Sequence, residues 1–151
     1  MHSMRILFDP EYGFVLVVTM LSVMFLLVMA RIVGRQRGIF NVHPPKMHDE
    51  KYPEFNCYVR AHQNTVEFYP TFVVALLISG LGFPVSSAWL GIGWIVSRIA
   101  YFAGYVSGDV HNRMYGFIAS VLCQALLAIG GMLFALSLTR VGYYPSPEAQ
   151  G

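Results

Sequence analysis

The chain has 151 residues, of which 56% are hydrophobic and 12% charged, with a mean hydropathy of +0.54 and a formal net charge of +2. That excess of apolar side chains over what one soluble core of this size buries indicates an integral membrane protein. The small charge, without basic runs interleaved with aromatics, argues against nucleic acid, and Cys57 and Cys123, far apart and in no ligand spacing, read as packing residues rather than a disulfide or zinc site.

After a polar lead-in over residues 1–11, Tyr12 to Ala30 is apolar throughout and long enough for a hydrocarbon core of ~30 Å. It exceeds a signal-peptide core and its positive charges follow it, so it is expected to be retained. Its methionines read as adaptable packing surface. From Arg31 to Glu54 the character changes: Arg31, Arg35, Arg37, Lys46 and Lys51 surround a His43-Pro44-Pro45 turn, predicting a loop outside the lipid. His43, His48, Asp49 and Glu50 lack metal-ligand spacing and read as solvated loop; the Asp109 and His111 pair reads the same way. A second span is expected over 56–81, with a kink at Pro70, and Gly80, Gly82 and Pro84 close it in a tight turn. A third span over 86–105 is followed by a polar connection from Val106 to Arg113. A fourth over 114–138 leads to a tail with Tyr143, Tyr144, Pro145 and Pro147. The expected fold is all-α, a four-helix membrane bundle forming a single domain over 1–151, with Gly91, Gly93, Gly130 and Gly131 allowing close backbone approach.

Four spans place both termini on one side. The basic loop between spans one and two, with Arg113 in the loop between three and four, assigns the other side to the cytosol, and the termini then face the lumen. Tyr12, Trp89, Tyr143 and Tyr144 fall at the non-cytosolic interface, as an aromatic belt would.

The second span opens on FNCYVRAHQNTVEFYP, Phe55 to Pro70. On a helix, Arg60, Asn64 and Glu67 share one face at i, i+4 and i+7. A charge at mid-bilayer costs about 2.5–3.5 kcal/mol, so such a stripe is a functional-site candidate. Arg98, Tyr101 and Tyr105 recur at i, i+3 and i+7 on the third span. With Arg113 and His62 they lie in the cytosolic half, and Arg37 stands nearby in the loop. The set suits a zwitterionic, net anionic ligand: arginines fork onto carboxylates and Glu67 takes an ammonium. Glutathione carries those groups plus a thiol, whose nucleophilic thiolate a guanidinium or phenol would favour. A lipophilic electrophile would enter from the lipid.

The pattern FNCxxRAHQNTxExYP, with YFAGY at Tyr101 to Tyr105, EYGFVL at Glu11 to Leu16 and GWIVSR at Gly93 to Arg98, resembles the family of membrane-associated proteins in eicosanoid and glutathione metabolism. Within it, the likeness is to type-3 microsomal glutathione transferases. This resemblance implies a homotrimer in the endoplasmic reticulum membrane, or the inner membrane of a bacterium, with glutathione held between subunits on the cytosolic side. It places Arg60, Asn64, Glu67, Tyr101 and Tyr105 at glutathione-binding positions and Arg37 at that of a basic residue from the adjacent subunit. His62 stands where the leukotriene C4 synthase branch has glutamine, and Phe68 where that branch has a ligand tyrosine. That branch's thiol-activating arginine falls seven residues after the second tyrosine, here Asn112; Arg113 is the nearest cation and, with Tyr101, the catalytic candidate. The activities implied are conjugation of glutathione to lipophilic electrophiles, glutathione-dependent reduction of lipid hydroperoxides and leukotriene C4 synthesis, with glutathione as co-substrate and no metal. The rival is a non-catalytic lipid-binding scaffold like the lipoxygenase-activating branch, which lacks the motif arginine and has aspartate for the glutamate. A small channel fits the composition but not the motif.

Overall fold

A computed structural model describes residues 9–108 and 110–141, apart from the side chains of residues 110, 112, 140 and 141. Asp109, Tyr143, Tyr144, Pro145, Pro147 and the first eight residues of the lead-in lie outside them. Four helices follow one another: α1 (Tyr12–Phe40), α2 (Pro53–Gly82), α3 (Pro84–Ser107) and α4 (Val110–Val141).

The helices exceed the apolar runs that announce them. The segment from Arg31, predicted as loop, instead continues α1 through Arg31, Arg35 and Arg37. Hydropathy marks where a helix leaves lipid, while only a backbone signal marks where it ends. Here that signal is Asn41 in the left-handed region (φ 53°), followed by the prolines. Arg37 lies in the last turn, where the helix dipole favours a cation. α2 begins on Pro53, whose missing N–H costs nothing at a first helical position, and Glu54 complements the dipole there. Only Phe83 separates α2 from α3, its N–H donating to the Ser79 carbonyl at 2.8 Å. The polar connection expected from Val106 to Arg113 is mostly helical too, with the turn compressed around Gly108 (φ 73°).

α2 and α3 form the centre: each packs on the other and on both remaining helices, while α1 and α4 do not meet among the described residues. α1, α2 and Arg113–Thr139 of α4 are long and apolar enough to cross a membrane. α3 is not among them, because Arg98 and several glycines and aromatics dilute its hydropathy. Its 24 residues still span ~36 Å, enough to cross, and Ser87 and Arg98 within it are buried in protein. The chain is an integral membrane protein of the helical-bundle kind.

Because lipid is as apolar as leucine, packing and hydrogen bonds hold such helices together. Phe72 and Trp94 stack at 3.9 Å between ring centroids. A Cβ on Gly91 would approach Val18 to 2.7 Å and one on Gly80 would approach Val15 to 2.8 Å, so α1 can sit close against α3 and α2. A polar chain stitches the central helices: Trp94 Nε1 donates to Gln124 Oε1 (3.2 Å), and Gln124 Nε2 donates to the Thr71 hydroxyl (2.6 Å), which donates to the Phe68 carbonyl (2.9 Å). Pro70, the position of the expected kink, lies inside the continuous span of α2, with this chain of donors crossing the adjacent turn. Outward, Val17, Met20 and Met24 on α1 and Leu122, Ile129 and Leu133 on α4 are exposed, a surface for lipid or another copy of the chain.

Candidate functional site

The polar residues of the α2 motif, of the end of α3 and of the start of α4 come together at one end of the bundle. Arg60 and Glu67, two turns apart on α2, are each about half exposed and meet at 3.3 Å. An exposed pair of this kind contributes no more than about 1 kcal/mol, so either partner can exchange it for a ligand. Asn64 does not join them. It turns inward, and its Oδ1 accepts a hydrogen bond from Arg98 Nη1 at 2.9 Å. The stripe read from the sequence is therefore split between an outward ion pair and an inward amide.

Arg98 is completely buried. The rings of Phe68, Trp94, Tyr101 and Phe117 surround its guanidinium at 4.7–5.9 Å, partly offsetting its desolvation. Tyr101 is 5% exposed and meets the ring of Tyr105 in an edge-to-face contact, 5.2 Å between centroids. Tyr105 is half-buried, and the Arg113 guanidinium from α4 lies 4.8 Å from its ring centre. That contact depends on a close α3/α4 seam at Gly116, where a Cβ would stand 2.5 Å from the Tyr101 nitrogen and 2.8 Å from the Ser97 oxygen.

A cleft of about 400 Å³ opens beside these residues, lined by Met47 and His48 of the loop, Cys57, Arg60 and Gln63 of α2, and Tyr105 of α3. Small-molecule sites usually enclose about 300–1,000 Å³. Arg37 holds the loop wall of the cleft: Nη1 donates to the Lys46 carbonyl (2.6 Å) and Nη2 to the Met47 sulfur (3.2 Å). Asp49 braces the same loop, pairing with Lys46 at 2.7 Å and accepting the Lys51 N–H, and the Lys46 hydrogen bond first, then Lys51, holds its carboxyl below the ordinary range. Asn56 brackets the Asp49 backbone through both ends of its amide, at 2.8 Å each.

Of the sequence-predicted residues, Arg60 and Tyr105 thus face one cleft, Glu67 pairs with Arg60, and Arg113 stacks on Tyr105. Asn64 and Tyr101 are held one layer deeper, around Arg98. Arg37 bonds to its own loop, and His62 is half-buried outside the cleft lining. Cys57 and Gln63 were not among the expected site residues. Their spacing from Arg60, three residues either way on one helix, was the available signal.

Chemically, the cleft offers a guanidinium, a phenol, an amide and a thiol, with a carboxylate at its rim. A family model described as the MAPEG family matches residues 12–133. Microsomal glutathione S-transferase 2 of Homo sapiens is 40% identical over 102 residues, covering 67% of each chain, and that of Bos taurus is 38% identical over 106 residues, covering 70% of each. Leukotriene C4 synthase of Rattus norvegicus is 31% identical over 126 residues, covering 82% of this chain and 83% of its own. These relatives carry the type-2 and leukotriene names rather than the type-3 name read from the motif.

Proposed function

The chain belongs to the MAPEG family, and from that membership we propose that it is a membrane-bound glutathione transferase, joining the thiol of glutathione to lipophilic electrophiles. The observation that carries this reading is the Arg60–Glu67 pair at the edge of a cleft roofed by Tyr105. Charges in a membrane helix are costly, and this pair is too exposed to be a structural lock. A carboxylate of the tripeptide takes Arg60 from Glu67, and the freed Glu67 receives the ammonium, so ligand binding replaces one ion pair with two. Tyr105 lines the pocket, Asn64 and Tyr101 back it from the layer around Arg98, His62 stands outside its lining, and Arg37 shapes its loop or reaches a neighbouring subunit.

Arg113 is the group we assign to the sulfur. A guanidinium beside the thiol favours the thiolate, which attacks the electrophilic carbon; a C–S bond forms and the leaving group departs with its electron pair. With a lipid hydroperoxide, the thiolate attacks the terminal peroxide oxygen, the O–O bond breaks, and the lipid alkoxide takes up a proton. A second glutathione then displaces hydroxide from the sulfenic acid to give the disulfide. Leukotriene A4 is a candidate electrophile by analogy with the leukotriene C4 synthases. The exposed apolar faces support assembly as a homotrimer, and the basic loop supports a site facing the cytosol from the endoplasmic reticulum, with both termini lumenal.

Glutathione consumption with a model aryl halide and with a lipid hydroperoxide, measured side by side in detergent, tests the reading. Saturable consumption with the aryl halide is expected, and a rate equal to the uncatalysed one contradicts it. Consumption with the hydroperoxide decides the peroxidase part separately.

A further inference from the structure

The Arg98 guanidinium has no carboxylate partner among the described residues. Of its five N–H bonds, one on Nη1 reaches Asn64, while Nε and Nη2 have no hydrogen-bond partner. A buried charge with unsatisfied donors costs the fold several kcal/mol even with aromatic rings around it, so stability does not explain why it is there. Its one hydrogen bond among the described residues does. A guanidinium only donates, so the Asn64 atom that meets it must be the carbonyl oxygen, and the amide cannot be flipped. The Asn64 NH2 group is then the free end, and it donates to none of the described residues. Asn64 lies one turn from Arg60 on α2 and is half-buried, with the Arg98 guanidinium on its inner side.

We propose that Arg98 is a positioning residue that locks the Asn64 amide with its NH2 group toward the ligand, so that the ligand group met by Asn64 is an acceptor, a carboxylate or a peptide carbonyl, and never an ammonium. This rests on the glutathione reading above and sharpens it: of the α2 motif, Glu67 alone receives the ammonium, while Arg60 and Asn64 both address acceptors. The pocket is divided by charge before the ligand arrives. Arg98 achieves this from outside the cleft, without touching the ligand.

Asn64→Asp separates the alternatives. Aspartate keeps an oxygen for Arg98 and adds the missing counter-charge, so the fold is retained and the midpoint of thermal unfolding in detergent stays level or rises. It removes the only donor and sets a carboxylate against the ligand's acceptor, so glutathione affinity, by calorimetry on the purified protein, falls at least tenfold. A loss confined to folding, or an affinity equal to or above that of the unchanged protein, overturns the proposal, because an ammonium at this position would welcome the carboxylate. A second test is the double-mutant cycle of Arg98→Met and Asn64→Ala. Acting through Asn64, Arg98→Met weakens glutathione binding about tenfold in the unchanged protein and less than twofold in the Asn64→Ala background; equal losses in both backgrounds contradict the positioning role. If the unchanged protein does not bind glutathione at all, the underlying transferase reading fails, whereas normal binding with either contrary result removes only the role of Arg98.

Discussion

Arg60, Arg98 and Arg113 carry the same side chain at one end of the bundle, and burial and partners separate their tasks. Arg60 is half exposed beside Glu67, free to exchange partners; Arg98 is enclosed by rings and bonds to Asn64; Arg113 lies along the ring of Tyr105. Of the three, Arg113 comes from α4 and lies on Tyr105 rather than on the α2 stripe. Arg113→Ala is therefore expected to lower kcat by about 10²-fold, the loss typical of removing one preorganised donor, while glutathione KM changes little. Stopped-flow absorbance of the bound thiolate checks this directly: the signal should disappear at neutral pH in the variant, and its persistence would assign activation to another group. The stripe Arg60, Asn64 and Glu67 was legible in the sequence because i, i+4 and i+7 repeat on one helix face. The inward turn of Asn64 was not, since the group that draws it in lies 34 residues away on another helix. Likewise, the spacing of Tyr101 and Tyr105 gave their common face but not that Tyr101 is buried behind Tyr105 against Arg98 and Phe117.

At the scale of elements, the α3/α4 seam sets where Tyr105 and Arg113 meet, and Gly116 sets the seam. A methyl there collides with backbone atoms of Tyr101 and Ser97, which cannot rotate away, whereas a methyl on Gly93 meets only the Cys123 sulfur at 3.2 Å. Overpacking costs about 1–3 kcal/mol, so Gly116→Ala should lower the thermal midpoint in detergent clearly more than Gly93→Ala and should reduce transferase activity as the seam opens. Equal midpoints for the two variants would show that the seam is looser than its geometry. The importance of Gly116 was hidden in the sequence, where it stands alone between Tyr115 and Phe117 near the start of α4, while Gly91 and Gly93, and Gly130 and Gly131, stood out as pairs within apolar runs. Helix ends were misplaced for a related reason. Arg31 to Phe40 continues α1 because the apolar run ends at the arginines while the helix ends at Asn41, and hydropathy reports only the first boundary.

For the whole molecule, the number and order of helices followed from four apolar runs, and their pairing at one end followed from chain reversal alone. Tyr12 at the start of α1 bonds to the Leu77 carbonyl near the end of α2, as an up-and-down arrangement requires. Less legible was that α3, with its arginine and glycines, is a central helix whose polar side chains are absorbed by its neighbours. What the bundle brings to one end is an exposed ion pair, an amide bonded to a buried guanidinium and a second guanidinium against a tyrosine ring, the groups proposed to hold glutathione. Equilibrium dialysis of labelled glutathione against the purified protein in detergent tests that claim most directly, run beside Arg60→Ala and Glu67→Ala. Saturable binding by the unchanged protein, weakened at least tenfold in both variants with their thermal midpoints within a few degrees of it, is the predicted result; binding that is absent from the start, or undiminished by either substitution, would contradict it.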